Sequence, residues 1–256
     1  MLRIDLNSDL GESFGRYKIG MDEEVIPLVS SVNVACGQHA GDPCVMRRTV
    51  AAAAAAGVSI GAHPGYPDLQ GFGRRDLGLS PDEAYAFMLY QMGALQAFCT
   101  AQGVRLAHVK PHGQLYNRAA ADPEFAAALA QAVRDFDPTL VLVGLANASL
   151  VEAGRKAGLR VAEEFFTDRN YTDEGKLVSR ARPDAMIHDE QLAIERVKQV
   201  IRDGAILSVT GKLIELHADT ICVHGDSPTA LAFVSRIRAA LQEEGIAIMP
   251  VGAEGR

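Results

Sequence analysis

The chain has 256 residues, 48% of them hydrophobic and 22% charged, with a net charge of -7 and four cysteines. No tract approaches the roughly 18 apolar residues of a membrane span, so no membrane partner is expected, and the acidic balance with dispersed Lys and Arg argues against a nucleic-acid partner, which needs clustered cations. Cys36, Cys44, Cys99 and Cys222 form no CxxC pair and read as reduced thiols; the opening MLRIDLNSDLGE offers no apolar signal region, so a cytoplasmic location is expected.

Short apolar runs alternate with helical patterns along the chain, about seven or eight times, which is the pattern of a parallel sheet wrapped by helices. The first run is Leu2 to Leu6 and the second lies near Val32 to Ala35; each leads into polar residues and glycine. A helix is expected from Pro43 through the six alanines Ala51 to Ala56, stopped by Gly57. A third strand, Val58 to Ile60, enters GAHPGYPDLQGFGRRD, Gly61 to Asp76. Its glycines and prolines predict a shaped, stiff loop, and His63, Tyr66, Asp68, Arg74 and Arg75 give that loop the chemistry of a site.

Ser80-Pro81-Asp82-Glu83 is a capping box that starts a helix running to about Gln102. Strand four, Arg105 to Val109, precedes KPHGQLYN; strand five is Leu140 to Val143; strand six, Arg160 to Ala162, is followed by Glu163-Glu164 and Asp168-Arg169. A polar loop carries Arg180 and Arg182, a helix runs from about Asp189 to Arg202, and Ala205 to Val209 with Lys212 to Leu216 reads as a hairpin. Strand seven, Thr220 to Val223, ends in His224-Gly225-Asp226, and Ala247 to Val251 reads as an edge-like eighth strand. The absence of a linker-like segment favours one domain, and an α/β barrel of about 250 residues is a common solution at this length.

Ionisable residues gather at the predicted strand ends: Asp9, Glu12, His39, Asp42, His63, Lys110, His112, Glu163, Asp168, Arg169, His224 and Asp226. Carboxyl ends of parallel strands converge, so these residues point to one shared site. Asp42 before Pro43 also reads as an ordinary helix cap, His108 as a core histidine, and Cys36 as a small buried thiol. Arg74 and Arg75 suit an anionic ligand or phosphate, although surface pairing is the other reading. Lys110, charged directly after an apolar strand, suits an oxyanion or phosphoryl group. Asp9, His63 and His112 form the first set to test for a divalent metal. No phosphate loop or dinucleotide fingerprint follows any strand.

DLNSDLGE (Asp5 to Glu12), NVACGQHAGDP (Asn33 to Pro43), GAHPGYPDLQGFGRR (Gly61 to Arg75), KPHGQLYN (Lys110 to Asn117), FTDRNY (Phe166 to Tyr171) and ICVHGD (Ile221 to Asp226) resemble, in order, the motifs of the LamB/YcsF family. The resemblance covers nearly the whole chain. It implies a single-domain, irregular seven-stranded β/α (TIM-like) barrel of the glycoside hydrolase/deacetylase superfamily type over residues 1–256. It implies the A-component role in an ATP-dependent 5-oxoprolinase, which cleaves 5-oxo-L-proline to L-glutamate with B and C subunits as partners and ATP used through the complex. Self-association into a homo-oligomer is compatible with it. On that reading Asp9, His39, Asp42, His63, Lys110 and His112 form the catalytic set. Asn7, Asn33, Arg74, Arg75, Asp168, Arg169, Arg180, His224 and Asp226 are the substrate-binding candidates. A stand-alone metal-dependent amidohydrolase or deacetylase, and a non-catalytic substrate-binding component, are the alternative functions.

Overall fold

The computed structural model of the chain describes residues 2–179, 181–223 and 228–253. Strands β1 (Arg3–Leu10), β2 (Ser31–Ala35), β3 (Ser59–His63), β4 (Leu106–Val109), β5 (Val141–Leu145) and β6 (Arg160–Phe166) follow one another in the sheet, and β9 (Thr220–Cys222) joins β6 to β1. All seven pairings around this ring are parallel, so it is a closed β/α barrel. The hairpin β7 (Ala205–Leu207) and β8 (Leu213–Glu215) is antiparallel and stands apart from the ring. The last strand, β10 (Ala247–Ile248), pairs in parallel with the start of β1, as the edge-like reading of Ala247 to Val251 anticipates.

The helices form where local chemistry starts and stops them. In α2 (Pro43–Ala56), Asp42 caps the amino end and Gly57, at φ 68°, closes the other. In α3 (Pro81–Ala101), Ser80 and Glu83 make the reciprocal bonds of a capping box. Ala84, Met88, Met92, Leu95 and Cys99 of α3 are buried at spacings of three and four, which turns one stripe toward the barrel wall. Two further helices, α4 (Gly113–Ala121) and α5 (Pro123–Phe136), follow β4, and Asp122 caps the second of them. No helix among the described residues is long and apolar enough to cross a membrane.

The barrel's interior is polar. Along β1, Ile4, Leu6 and Leu10 join the hydrophobic cluster that packs under the helices, while Asp5, Asn7 and Asp9 alternate with them on the other face. Asp5 accepts hydrogen bonds from Ser30 (2.7 Å), Ser31 (2.6 Å) and Thr220. Asn33 of β2 donates to Asn7 at 2.7 Å and Asp9 at 2.8 Å, and His108 of β4 reaches Asn33 at 2.8 Å. Bonds between strands that are not neighbours in the ring can pass only through its centre. His108 is therefore the core histidine its strand position suggests, and burial, with Lys110 nearby, lowers its pKa to about 3.

Burial pushes the Asp5 carboxyl up to about 6, against the hydroxyl hydrogen bonds that favour its ionised form. Between pH 6 and 3.8 the native chain thus holds a proton that the unfolded chain lacks, so this group adds stability as pH falls through 6. Asp5→Asn removes the effect. On acidification from about pH 7.5 to 5 the variant should lose about 1.4 kcal/mol more stability than the wild type, His108 and the other groups being common to both. Urea unfolding of both proteins at the two pH values checks this; equal changes in the two would show that Asp5 stays ionised.

Candidate active site

At the carboxyl end of the barrel, β3 delivers His63 as its last strand residue, three positions beyond the strand end expected from sequence. The loop that follows it folds back over the barrel mouth. Phe72, at φ 55°, and Gly73, at φ 63°, both hold left-handed backbone. A Cβ on Gly73 would come within 2.8 Å of His39 and 3.0 Å of His112, so the close passage of the loop over the histidines requires glycine there. The turn aims the Phe72 carbonyl at His112 Nε2, 2.8 Å away.

Two backbone carbonyls fix the histidine tautomers. His63 donates from Nδ1 to the Lys110 carbonyl at 2.7 Å and His112 donates from Nε2 to Phe72. The remaining nitrogens, His63 Nε2 and His112 Nδ1, then carry lone pairs and face each other at 3.1 Å. His39 stacks on His112 with ring centroids 3.8 Å apart, is fully buried, and has no hydrogen-bond partner at either ring nitrogen among the described residues. Glu12 Oε1 lies 3.9 Å from both His39 Nε2 and His112 Nδ1. Burial, followed by the neighbouring histidines, holds the His39 and His112 pKa values well below the ordinary range, so protons do not satisfy these two rings near neutral pH. Lone pairs converging on one point call for a cation. One ligand atom from each of Glu12, His39, His63 and His112 lies within 4.8 Å of the others, an imidazole and carboxylate set suited to a divalent transition metal.

This set departs from the expected trio of Asp9, His63 and His112. Asp9 Oδ2 is 3.3 Å from His63 Nε2, but its Oδ1 accepts from Lys110 at 3.0 Å and Asn33 at 2.8 Å. Asp9 therefore borders the donor cluster, and Glu12 and His39 complete it. Lys110 is the hub beside it. Its ammonium meets Glu164 at 2.7 Å, Asp9 at 3.0 Å, Asn7 at 3.2 Å and the Cys222 sulfur at 3.3 Å. Burial opposes that charge, but Asp9, Cys222 and Glu164 outweigh it and raise the pKa well above the usual value. An ammonium has three hydrogens, and four protein acceptors already surround this one. The ammonium thus holds Asp9 and Glu164, at the edge of the cavity where the sequence places it for an oxyanion or phosphoryl group.

A cavity of about 240 Å³ opens over these groups, lined among others by Asp9, His63, Arg74, Lys110, His112, Tyr116, Asn117 and Arg169. That is below the about 300–1,000 Å³ of drug-sized pockets and suits a small metabolite. Arg74 lies over the Phe72 ring at 5.4 Å, and Arg169 donates to the Val178 carbonyl at 2.6 Å, so two cations border the cavity. Other expected residues are placed elsewhere. Asp42 accepts at Oδ1 from the amides of Cys44 and Val45 and at Oδ2 from that of Gly15, which places it as the helix cap, the other reading its position offers. Arg75 pairs in a fork with Asp68, whose pKa it draws down to about 2, and both line a different hollow. Asn7 and Asn33 lie in the buried network below the cavity. Asp168 is buried only in part at its surface, with its backbone carbonyl accepting from Ile187. Arg180, His224 and Asp226 lie outside the described residues.

Glu164 and Tyr116 have no place in the sequence-based list. The apolar run Arg160 to Ala162 leaves Glu164 in a loop, but β6 continues through Phe166, which places Glu164 inside the barrel and Glu163 on the other face, paired with Arg155. The signal was the pair itself: two adjacent acids on one strand must point to opposite faces. Cys36 is inert, as expected, its thiol pushed up to about 12 by burial.

The sequence profile of the LamB/YcsF family matches residues 4–255. The chain belongs to that family. A relative from Pyrococcus abyssi (strain GE5 / Orsay), named as the A-subunit of 5-oxoprolinase, is 53% identical over 250 residues, with 98% of each chain covered. Among solved structures, the lactam utilization protein from Thermus thermophilus superposes with a TM-score of 0.92 at 46% identity, covering 97% of this chain and 99% of the other. The catalytic domain of a peptidoglycan N-acetylglucosamine deacetylase from Eubacterium rectale ATCC 33656 reaches a TM-score of 0.51 at 11% identity, covering 99% and 90%, a likeness of fold alone. The LamB/YcsF motifs and the cavity lining thus coincide: all but the last of the six motifs place a described residue in the cluster or at the cavity.

Proposed function

We propose that this LamB/YcsF chain, acting as one domain, is the A component of an ATP-dependent 5-oxoprolinase and holds the site where the lactam is opened. The observation that carries the reading is a small cavity lined by Arg74 and Arg169 together with Asp9, His63 and His112, two of the cluster's histidines among them. It is joined to a full-length likeness to a relative of that name. Opening 5-oxo-L-proline requires a cation for its carboxylate, a group to polarise the amide and a base for water. Arg74 or Arg169 suits the first need. Asp9, fixed by Lys110 and Asn33 beside His63, suits the last: it takes a proton from water as the oxygen adds to the lactam carbon. The C–N bond then breaks and the nitrogen takes up a proton, which opens the ring. A divalent ion held by Glu12, His39, His63 and His112 would supply Lewis-acid polarisation of the carbonyl.

A five-membered lactam is a stable amide, and ATP provides the driving force by phosphorylating the lactam oxygen: opening of the water adduct at its C–N bond then leaves an acyl phosphate, which a second water hydrolyses to glutamate and phosphate. The ATP site belongs to the complex with the B and C subunits. The four cysteines, free in the structure, fit a cytoplasmic setting. The cation cluster favours one competing reading, a metal-dependent amidohydrolase that works alone. Glutamate release by the purified chain, with and without the B and C subunits and with and without ATP, separates them. Turnover only with partners and ATP supports the 5-oxoprolinase; glutamate from the lone chain without ATP, lost on adding a chelator, overturns it.

The two arginines of GRR should behave differently. Arg74→Ala is expected to raise KM about 10-fold or more, the effect of losing a charge-assisted hydrogen bond. Arg75→Ala should leave it within about 2-fold, since that side chain is 60% exposed and paired with Asp68. Similar effects of the two in steady-state assays of the complex would remove Arg74 as the cation for the carboxylate and leave Arg169.

A further inference from the structure

Glu164 is fully buried, and its two oxygens are divided between different partners. Oε1 accepts from Lys110 Nζ at 2.7 Å and from Asn7 Nδ2 at 3.2 Å. Oε2 accepts from the Tyr116 hydroxyl at 2.8 Å. A phenol has one hydrogen and two acceptor lone pairs. With its hydrogen committed to a buried carboxylate, the Tyr116 oxygen has only acceptor capacity left, and Tyr116 lines the cavity next to Lys110 and Asn117.

Resting on the lactam reading above, we infer that the Glu164–Tyr116 pair is a specificity device: it makes Tyr116 an obligate acceptor toward the cavity and thereby selects ligands that present an N–H, a lactam over the corresponding lactone. Glu164 is the positioning residue and Tyr116 the contact. A lactone sets a ring oxygen against the tyrosine oxygen, so two acceptors meet with no hydrogen between them, and both are left desolvated.

Glu164→Gln gives the inference a directional consequence. Lys110 and Asn7 both donate at the Oε1 position, so the amide oxygen must stay there and the NH2 group must occupy the place of Oε2. That group donates to Tyr116, whose own hydrogen is released toward the cavity. The residue then changes from acceptor to donor.

The test is calorimetric binding to the full-length chain of three isosteric ligands: 5-oxo-L-proline, its lactone (5-oxotetrahydrofuran-2-carboxylate) and its carbocycle (3-oxocyclopentane-1-carboxylate). Wild type should prefer the lactam over the lactone by about 10-fold or more. Tyr116→Phe, which keeps the ring and removes the oxygen, should bring the three ligands within about 3-fold of one another. Glu164→Gln should abolish or reverse the lactam preference. If Glu164→Gln fails to fold, Tyr116→Phe alone decides. A lactam preference that persists in Tyr116→Phe overturns the inference and leaves the substrate reading standing. Absence of lactam binding by the wild type overturns the substrate reading, and the inference with it.

Discussion

Replacing Lys110 with methionine will cost the fold about 3–5 kcal/mol and abolish turnover together, because the substitution strips the counter-charge from two carboxylates at once. Glu164 has no solvent to turn to, and Asp9 is only partly exposed. A surface ion pair would yield less than about 1 kcal/mol on the same treatment, so the size of the loss is itself the evidence that the pair is buried. The cost should be partly recovered in the double variant Lys110→Met/Glu164→Gln, where one orphaned charge is gone, and a double-mutant cycle in urea isolates that coupling. Turnover should remain lost in the double variant, since Asp9 is still without the cation that orients it. A Lys110→Met protein as stable as wild type would show that Lys110 is a surface group and no hub of buried carboxylates.

The purified chain will bind one divalent transition-metal ion, and His39→Ala or His63→Ala will each weaken that binding about 100-fold or more, measured as metal content after dialysis and by titration calorimetry. Loss of an outer-shell partner alone commonly costs about 10–100-fold, and removing a ligand exceeds it. His39 is the sharper test of the two. It is fully buried, its ring nitrogens have no hydrogen-bond partner among the described residues, and without a cation its presence in the core is an uncompensated cost. The pH dependence carries a sign. Metal binding requires unprotonated imidazoles, and burial holds the His39 and His112 pKa values well below 6.5. Protonation of His39 and His112 should therefore take no part in any loss of affinity as pH falls from about 8 to 6, where exposed histidines already lose ground to protons. Folded protein with no stoichiometric metal, or with metal retained in both variants, would defeat this assignment.

Much of the barrel is set by local sequence. The cap at Asp42, the capping box at Ser80 and Glu83, and the glycine after Ala56 act within one helical turn, so they are legible from residue types alone. Strand ends rich in His, Asp and Lys likewise announce a site, because parallel strands deliver their carboxyl ends to one place. What tertiary structure decided is which atoms meet. Asp42 and Glu12 are both acids that follow a strand; Pro43 already marks the first as a cap, but only the path of the loops brings the second 3.9 Å from two histidines. Arg74 and Arg75 are adjacent, yet the turn at Phe72 and Gly73 leaves one at the cavity and folds the other onto Asp68. Glu164 shows the limit most clearly. Its role depends on a strand running four residues past its apolar start and on partners from β1, the end of β4 and α4, and no property of residues 160–166 specifies those distances.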